Sequence, residues 1–131
     1  MKFIDQLKEK AKQNKKTIVL PETSDMRTIE AAGKVLAEGI ANIILVGDKE
    51  DIMSRAGDID LSGASFVDPK NYEKFDEYVD AFVEMRRKKG MTEARAKELL
   101  LTNPLYFGCM MVKQDDADGM VAGAINASAD V

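Results

Sequence analysis

The chain of 131 residues is 45% hydrophobic and 32% charged, the balance of one folded domain and not of a disordered or collagen-like polymer. Its formal charge of -4 argues against broad nucleic-acid binding, and no apolar run approaches the ~20 residues of a bilayer-spanning helix. With one cysteine, Cys109, and no histidine, an internal disulfide, a zinc site and an imidazole-assisted nucleophile are excluded.

The first segment sets Phe3, Ile4, Leu7 and Ala11 at helical spacing among lysines, which predicts an amphipathic helix in an outer layer. It begins basic but enters no apolar segment, so it reads as a helix and not as a signal peptide, and the expected compartment is the cytoplasm. Thr17-Ile18-Val19-Leu20, closed by Pro21, predicts a buried strand. Glu22 to Asp25 then supplies caps for a helix carrying Ile29, Ala32, Leu36 and Ile40, with Gly39 as its stop.

The pattern repeats. Ile43 to Val46 is a continuous aliphatic strand, and Asp48 caps a helix to about Arg55. Continuous rather than alternating hydrophobicity means burial on both faces, as in a parallel sheet. A short third strand, Ala64 to Asp68, ends at Pro69. A long helix is expected from Asn71 to Lys89, with Tyr72, Phe75, Val79, Phe82 and Met85 as its stripe and Gly90 as its end. Thr92 opens a further helix over Ala94 to Leu101, and Asn103-Pro104 opens one reaching Val112. Asp118 to Ala124 is the last expected strand, followed by the cap-rich turn Asn126-Ala127-Ser128.

Helices between strands specify right-handed crossovers and an α/β fold: an open, mostly parallel sheet with helices on both faces, in three layers. Residues 1–131 read as one N-terminal α/β domain. The chain ends at Val131, where the last turn leads toward a helix, so the expectation is a truncated domain.

In such sheets ligands bind outside the carboxyl ends of the strands, near helix N-termini. The turn Pro21 to Asp25 lacks glycine and carries two acids, which favours capping over phosphate binding. Gly47-Asp48-Lys49 has no nucleotide-loop pattern and also reads as a cap. Gly123 to Ser128 allows close backbone approach and offers neutral hydrogen-bonding groups in Asn126 and Ser128, so it suits an anion or ordinary capping. Arg86 and Arg87 suit a helix C-terminus electrostatically; alternatively, one guanidinium points into the cleft to meet phosphate oxygens. The basic run Lys8 to Lys16 reads as a solvated face. Cys109, without a histidine to activate it, reads as inert packing on a buried helix.

Several segments resemble the N-terminal part of the phosphate acetyltransferase (phosphotransacetylase) family. They are Ile18-Val19-Leu20-Pro21-Glu22, Ala37-Glu38-Gly39-Ile40-Ala41, Arg86-Arg87-Lys88-Lys89-Gly90-Met91-Thr92, and Asp116-Ala117-Asp118-Gly119-Met120-Val121-Ala122-Gly123-Ala124 with Asn126, Ala127, Ser128, Ala129 and Asp130. The resemblance implies reversible acetyl transfer between coenzyme A and inorganic phosphate, giving acetyl phosphate, in a cleft between two α/β domains. It implies that Arg86 contacts coenzyme A or phosphate and that Asn126 and Ser128 form cleft wall. It places the family's principal catalytic serine, arginine and aspartate beyond Val131, so no catalytic residue is assigned here. The second domain and a closing segment from the far C-terminus are expected to be absent, leaving these 131 residues inactive alone.

Coenzyme A and phosphate are then substrates, with no cofactor and no metal, no nucleic-acid or membrane partner, and a homodimer for the full-length protein. Alternatives are a phosphate butyryltransferase and a noncatalytic acyl-CoA-binding regulatory domain like that of some malic enzymes.

Overall fold

The two most aliphatic runs form the centre of the sheet. Strand β1 (Lys16–Leu20) lies parallel to β2 (Ala41–Val46), with Ile18 beside Ile43, Val19 beside Ile44 and Leu20 beside Leu45. Strand β3 (Ser65–Val67) adds to β2, and β4 (Gly119–Met120) adds to the other side of β1. All four strands are parallel, in the order β3-β2-β1-β4. This is a computed structural model, and it describes residues 12–122 together with residues 6, 9 and 10.

Alternate residues of a strand face opposite sides, and both sides are covered. Val19, Ile44 and Val46 enter one core with Tyr78, Phe82 and Leu100. These come from α3 (Phe75–Met85) and α4 (Glu93–Thr102), and Phe107 and Met111 of α5 (Pro104–Lys113) join them. Leu20, Ile43 and Leu45 enter a second core with Ile29 and Ala32 of α1 (Met26–Glu38) and Ile52 of α2 (Lys49–Ala56). Burying each large aliphatic side chain contributes about 1.5–3 kcal/mol, so both faces of β2 stabilise the fold. The three-layer α/β reading of the sequence is the architecture observed.

The predicted caps are in place. The side chains of Asp25, Asp48, Thr92 and Asn103 accept backbone N–H groups at the starts of α1, α2, α4 and α5. Residues 6, 9, 10, 12 and 13 are helical, in agreement with an N-terminal helix; Phe3, Ile4, Leu7 and Ala11 lie outside the described residues.

Two boundaries differ from expectation. The single helix over Asn71 to Lys89 is three pieces: a 3-10 turn at Pro69–Asn71, α3, and a second 3-10 turn at Arg87–Lys89. Asp68 caps the proline-led first turn, and Tyr72 follows in extended conformation, which breaks the helical path before α3 begins. The buried stripe shifts accordingly: Tyr78 is fully buried, whereas Met85 is 53% exposed. The last strand is also shorter than Asp118 to Ala124. Its ladder holds Gly119 and Met120, flanked by hydrogen bonds from Asp118 N–H to the Thr17 carbonyl and from Val121 N–H to the Val19 carbonyl; Gly123 and Ala124 lie outside the described residues.

Candidate functional site

From β1 the chain steps outward to β2 and β3, then returns to the opposite side of β1 as β4. This reversal places the topological switch point between β1 and β4, where open α/β sheets bind ligands at the carboxyl ends of the strands. Leu20, Glu22 and Thr28 meet Val121 and Ala122 there around a cleft of about 140 Å³. The turn from Gly123 to Ser128 follows directly in sequence; Asn126 and Ser128, the predicted cleft-wall residues, lie outside the described residues.

A larger cleft of about 270 Å³ opens at the carboxyl ends of β1, β2 and β3, with Pro21, Thr23, Val46, Gly47, Asp68 and Lys70 in its wall. Its turns are mostly occupied by structural hydrogen bonds. Asp25 accepts the Arg27 N–H at 2.9 Å and pairs with the Arg27 guanidinium at 2.6 Å. The hydrogen bonds from Arg27 hold the Asp25 carboxyl below its ordinary range. Thr23 Oγ1 donates to the Val46 carbonyl at 2.6 Å, and Arg55 Nη1 donates to the Thr23 carbonyl at 2.8 Å. Asp48 takes the Glu50 N–H at 3.1 Å. Both turns therefore act as caps and struts, as their sequences indicated. Lys70, which the sequence did not single out, is exposed on this cleft without an ion pair among the described residues; its signal is its place directly after Asp68-Pro69 at a strand's carboxyl end.

The arginine pair separates clearly. Arg87 is exposed and bound to Glu84 one turn earlier. Arg86 ends α3 and turns instead toward two rings, with its guanidinium carbon 5.6 Å from the centroid of Phe82 and 5.8 Å from that of Tyr106. Among the described residues, no carboxylate lies within ion-pair distance of it. It borders a cleft of about 140 Å³ with Met85, Asn103, Tyr106 and Cys109. Asn103 belongs to this cleft and the next residue, Pro104, to the larger one, so the two openings flank the start of α5.

Cys109 corrects another expectation: it is exposed on α5 and not packed away. Local burial pushes its thiol up, partly opposed by the charge of Arg86, so it is a poor nucleophile there.

The arrangement thus offers one planar, uncompensated cation on a partly apolar cleft, suited to bidentate contact with phosphate oxygens. Lys74, Tyr78 and Asp116 form another polar cluster, but its central tyrosine is fully buried and its bonds are internal. Among the described residues no group of three or more Cys, Asp or Glu side chains is set to hold a metal, and no helix is long and apolar enough to cross a membrane.

The model of the family described as phosphate acetyl/butaryl transferase matches residues 2–131. The curated phosphate acetyltransferase of Thermoanaerobacterium thermosaccharolyticum is 50% identical over 131 residues, covering 100% of this chain and 40% of the relative. That of Acetivibrio thermocellus is 49% identical over 129 residues, covering 98% of this chain and 39% of the relative. A solved phosphotransacetylase from Streptococcus pyogenes superposes with a TM-score of 0.84 at 34% identity, over 99% of this chain and 40% of its own. The chain thus spans about 40% of the length of the relatives it matches.

Proposed function

We propose that this chain, which belongs to the phosphate acetyl/butaryl transferase family, forms the N-terminal part of a phosphate acetyltransferase, with coenzyme A and inorganic phosphate as substrates. In the direction of acetyl phosphate, a phosphate oxygen attacks the thioester carbonyl and the coenzyme A thiolate leaves. That step needs a donor set for the developing oxyanion and a group to manage the proton. We assign those groups to the part of the relatives that has no counterpart here. This chain supplies substrate-holding groups: Arg86 for a phosphate of coenzyme A, and Asn126 and Ser128 for the cleft wall.

The observation that carries this reading is the state of Arg86. A guanidinium paired to a carboxylate is already compensated, as Arg87 is by Glu84. Arg86 stands at a cleft edge with no carboxylate partner among the described residues, against rings that attract a cation without neutralising it. The names of the curated relatives favour acetyl over butyryl transfer, although the family description spans both. We place the protein in the cytoplasm and read its full assembly as a homodimer, without nucleic acid, membrane, cofactor or metal.

The test is formation of acetyl-CoA from acetyl phosphate and coenzyme A by the protein as its gene encodes it, beside the isolated 131-residue chain, with butyryl phosphate as the competing substrate. Turnover of acetyl phosphate by the encoded protein, and none by the isolated chain, is expected. Preference for butyryl phosphate, or no turnover of either by the encoded protein, overturns the reading.

A further inference from the structure

Arg86 and its neighbours carry one inference beyond this reading, and it rests on that reading's assignment of Arg86 to substrate phosphate. We infer that Tyr106, backed by Phe82, is a positioning residue that aims the Arg86 guanidinium at its anion.

Phe82 lies one helical turn before Arg86 on α3 and is only 2% exposed, so its ring is fixed in the core. Tyr106 arrives from a different helix, α5, and is half-buried. The two rings are 5.6 Å apart, tilted by 35°, and the guanidinium carbon is nearly equidistant from both, at 5.6 and 5.8 Å. Arg86 therefore stands at a junction of two helices and does not simply lie along its own.

A carboxylate in the place of Tyr106 would hold the guanidinium equally well but would cancel its charge. A ring face holds it by quadrupole attraction and packing and leaves the full positive charge for a ligand. Without the ring, the long arginine side chain returns to many rotamers, and binding must pay to order it again. The ring thus acts on affinity through Arg86. Tyr106 and Arg86 border the same cleft, so the charge is presented where a ligand can reach it. Arg87, adjacent in sequence, has no cation–ring contact among the described residues and pairs with Glu84.

The experiment compares Tyr106→Leu, Tyr106→Phe and Arg86→Ala, and the double variant Tyr106→Leu with Arg86→Ala, in the protein as its gene encodes it, by steady-state kinetics with coenzyme A. Tyr106→Leu is expected to raise KM for coenzyme A roughly tenfold, the size of a cation–π contact, with kcat changed less than about twofold. Tyr106→Phe keeps the ring and is expected to restore KM. Adding Tyr106→Leu to Arg86→Ala is expected to change KM no further, because the ring acts only through the guanidinium.

If Arg86→Ala raises KM and Tyr106→Leu does not, the inference is overturned while the assignment of Arg86 stands. If Arg86→Ala leaves KM unchanged, the assignment itself fails, and the inference with it. An equal effect of Tyr106→Leu with and without Arg86 means that the ring acts through the fold, which also overturns the inference. Should Tyr106→Leu fail to fold, Tyr106→Met carries the same comparison.

Discussion

The buried hydroxyl of Tyr78 donates to one carboxylate oxygen of Asp116 at 2.5 Å, and the Lys74 ammonium holds the other oxygen at 2.6 Å. Asp116 lies just before β4, and Tyr78 and Lys74 lie within and just before α3. The carboxylate therefore ties the helical layer to the strand that completes the switch point. Tyr72 joins through its hydroxyl, 3.3 Å from that of Tyr78.

This cluster predicts two pH limits for stability. Burial pushes the Asp116 carboxyl up, but the hydrogen bonds from Lys74 and Tyr78 and the charge of Lys74 outweigh it, so its net shift is downward. A lowered folded value gives stability that is present above the ordinary carboxylate pKa of ~3.9 and lost as pH falls through the folded value. Burial first, then the bond to Asp116, pushes the Tyr78 phenol far up. That gives stability present below the ordinary tyrosine value of ~10 and lost as pH rises toward the folded value. Denaturation midpoints across pH are expected to fall at both ends, with a shallower acid limb in Asp116→Asn; an unchanged acid limb would contradict the assignment. At neutral pH, Tyr78→Phe is expected to cost about 1–2 kcal/mol, because it leaves a largely buried carboxylate short of one donor.

At the end of β2, Gly47 has φ +141°, and a Cβ there would sit 3.0 Å from Thr23 Oγ1 and 3.2 Å from Ile52 Cδ1. Gly47→Ala combines backbone strain with crowding of the Thr23 strut and is expected to lose about 1–3 kcal/mol. Urea denaturation measures it, and a variant as stable as the parent would show that the turn relaxes freely.

At Gly108, α5 lies close against Met120 of β4 and Pro21, the residue after β1. A Cβ there would meet Met120 Sδ at 2.7 Å and Pro21 Cβ at 3.3 Å. Alanine gains about 1 kcal/mol of helix propensity, while overpacking costs about 1–3 kcal/mol. Met120 can swing aside, but the proline ring cannot, so the net change in Gly108→Ala is expected to be a loss of about 1 kcal/mol. A gain in thermal midpoint would mean that helix propensity wins and the helix shifts outward.

Adjacent arginines are expected to behave differently. If Arg86 holds a phosphate of coenzyme A as proposed, Arg86→Ala is expected to raise KM for coenzyme A by roughly tenfold or more. Arg87→Ala breaks an exposed pair with Glu84, a kind worth about 0–1 kcal/mol, so its KM is expected to stay within about twofold. Equal effects in the two variants would remove the distinction drawn from their surroundings.

Much of the fold was legible in the sequence because its signals are local. Asp25, Asp48, Thr92 and Asn103 were readable as caps, since a cap acts on N–H groups two or three residues away. The continuous runs at Ile18 to Leu20 and Ile43 to Val46 were readable as strands buried on both faces, and each face has its own core. The break before Phe75 was less visible. Tyr72 and Phe75 fit a helical stripe, and only the competing turn started by Asp68-Pro69 interrupts it. Tyr78 was missed because its partners are distant in the chain: its hydroxyl bonds Asp116, thirty-eight residues later, and its ring packs against Phe107.

By itself, then, the sequence determined the order of elements, their caps, the three-layer α/β class and the resemblance that pointed to acyl transfer. These depend on periodicity and on contacts within a few residues. Only the tertiary structure decided that β4 lies beside β1, creating the switch point, and that Arg86 rests against the rings of Phe82 and Tyr106. Successive residues of a helical turn point about 100° apart; the i,i+3 spacing marks Glu84 as the partner of Arg87, but no local rule names what Arg86 will meet. Arg87 met Glu84 within its own segment, while Arg86 met Tyr106, twenty residues onward on another helix. Such long-range partners are set by packing, and packing is not written in any short stretch of chain.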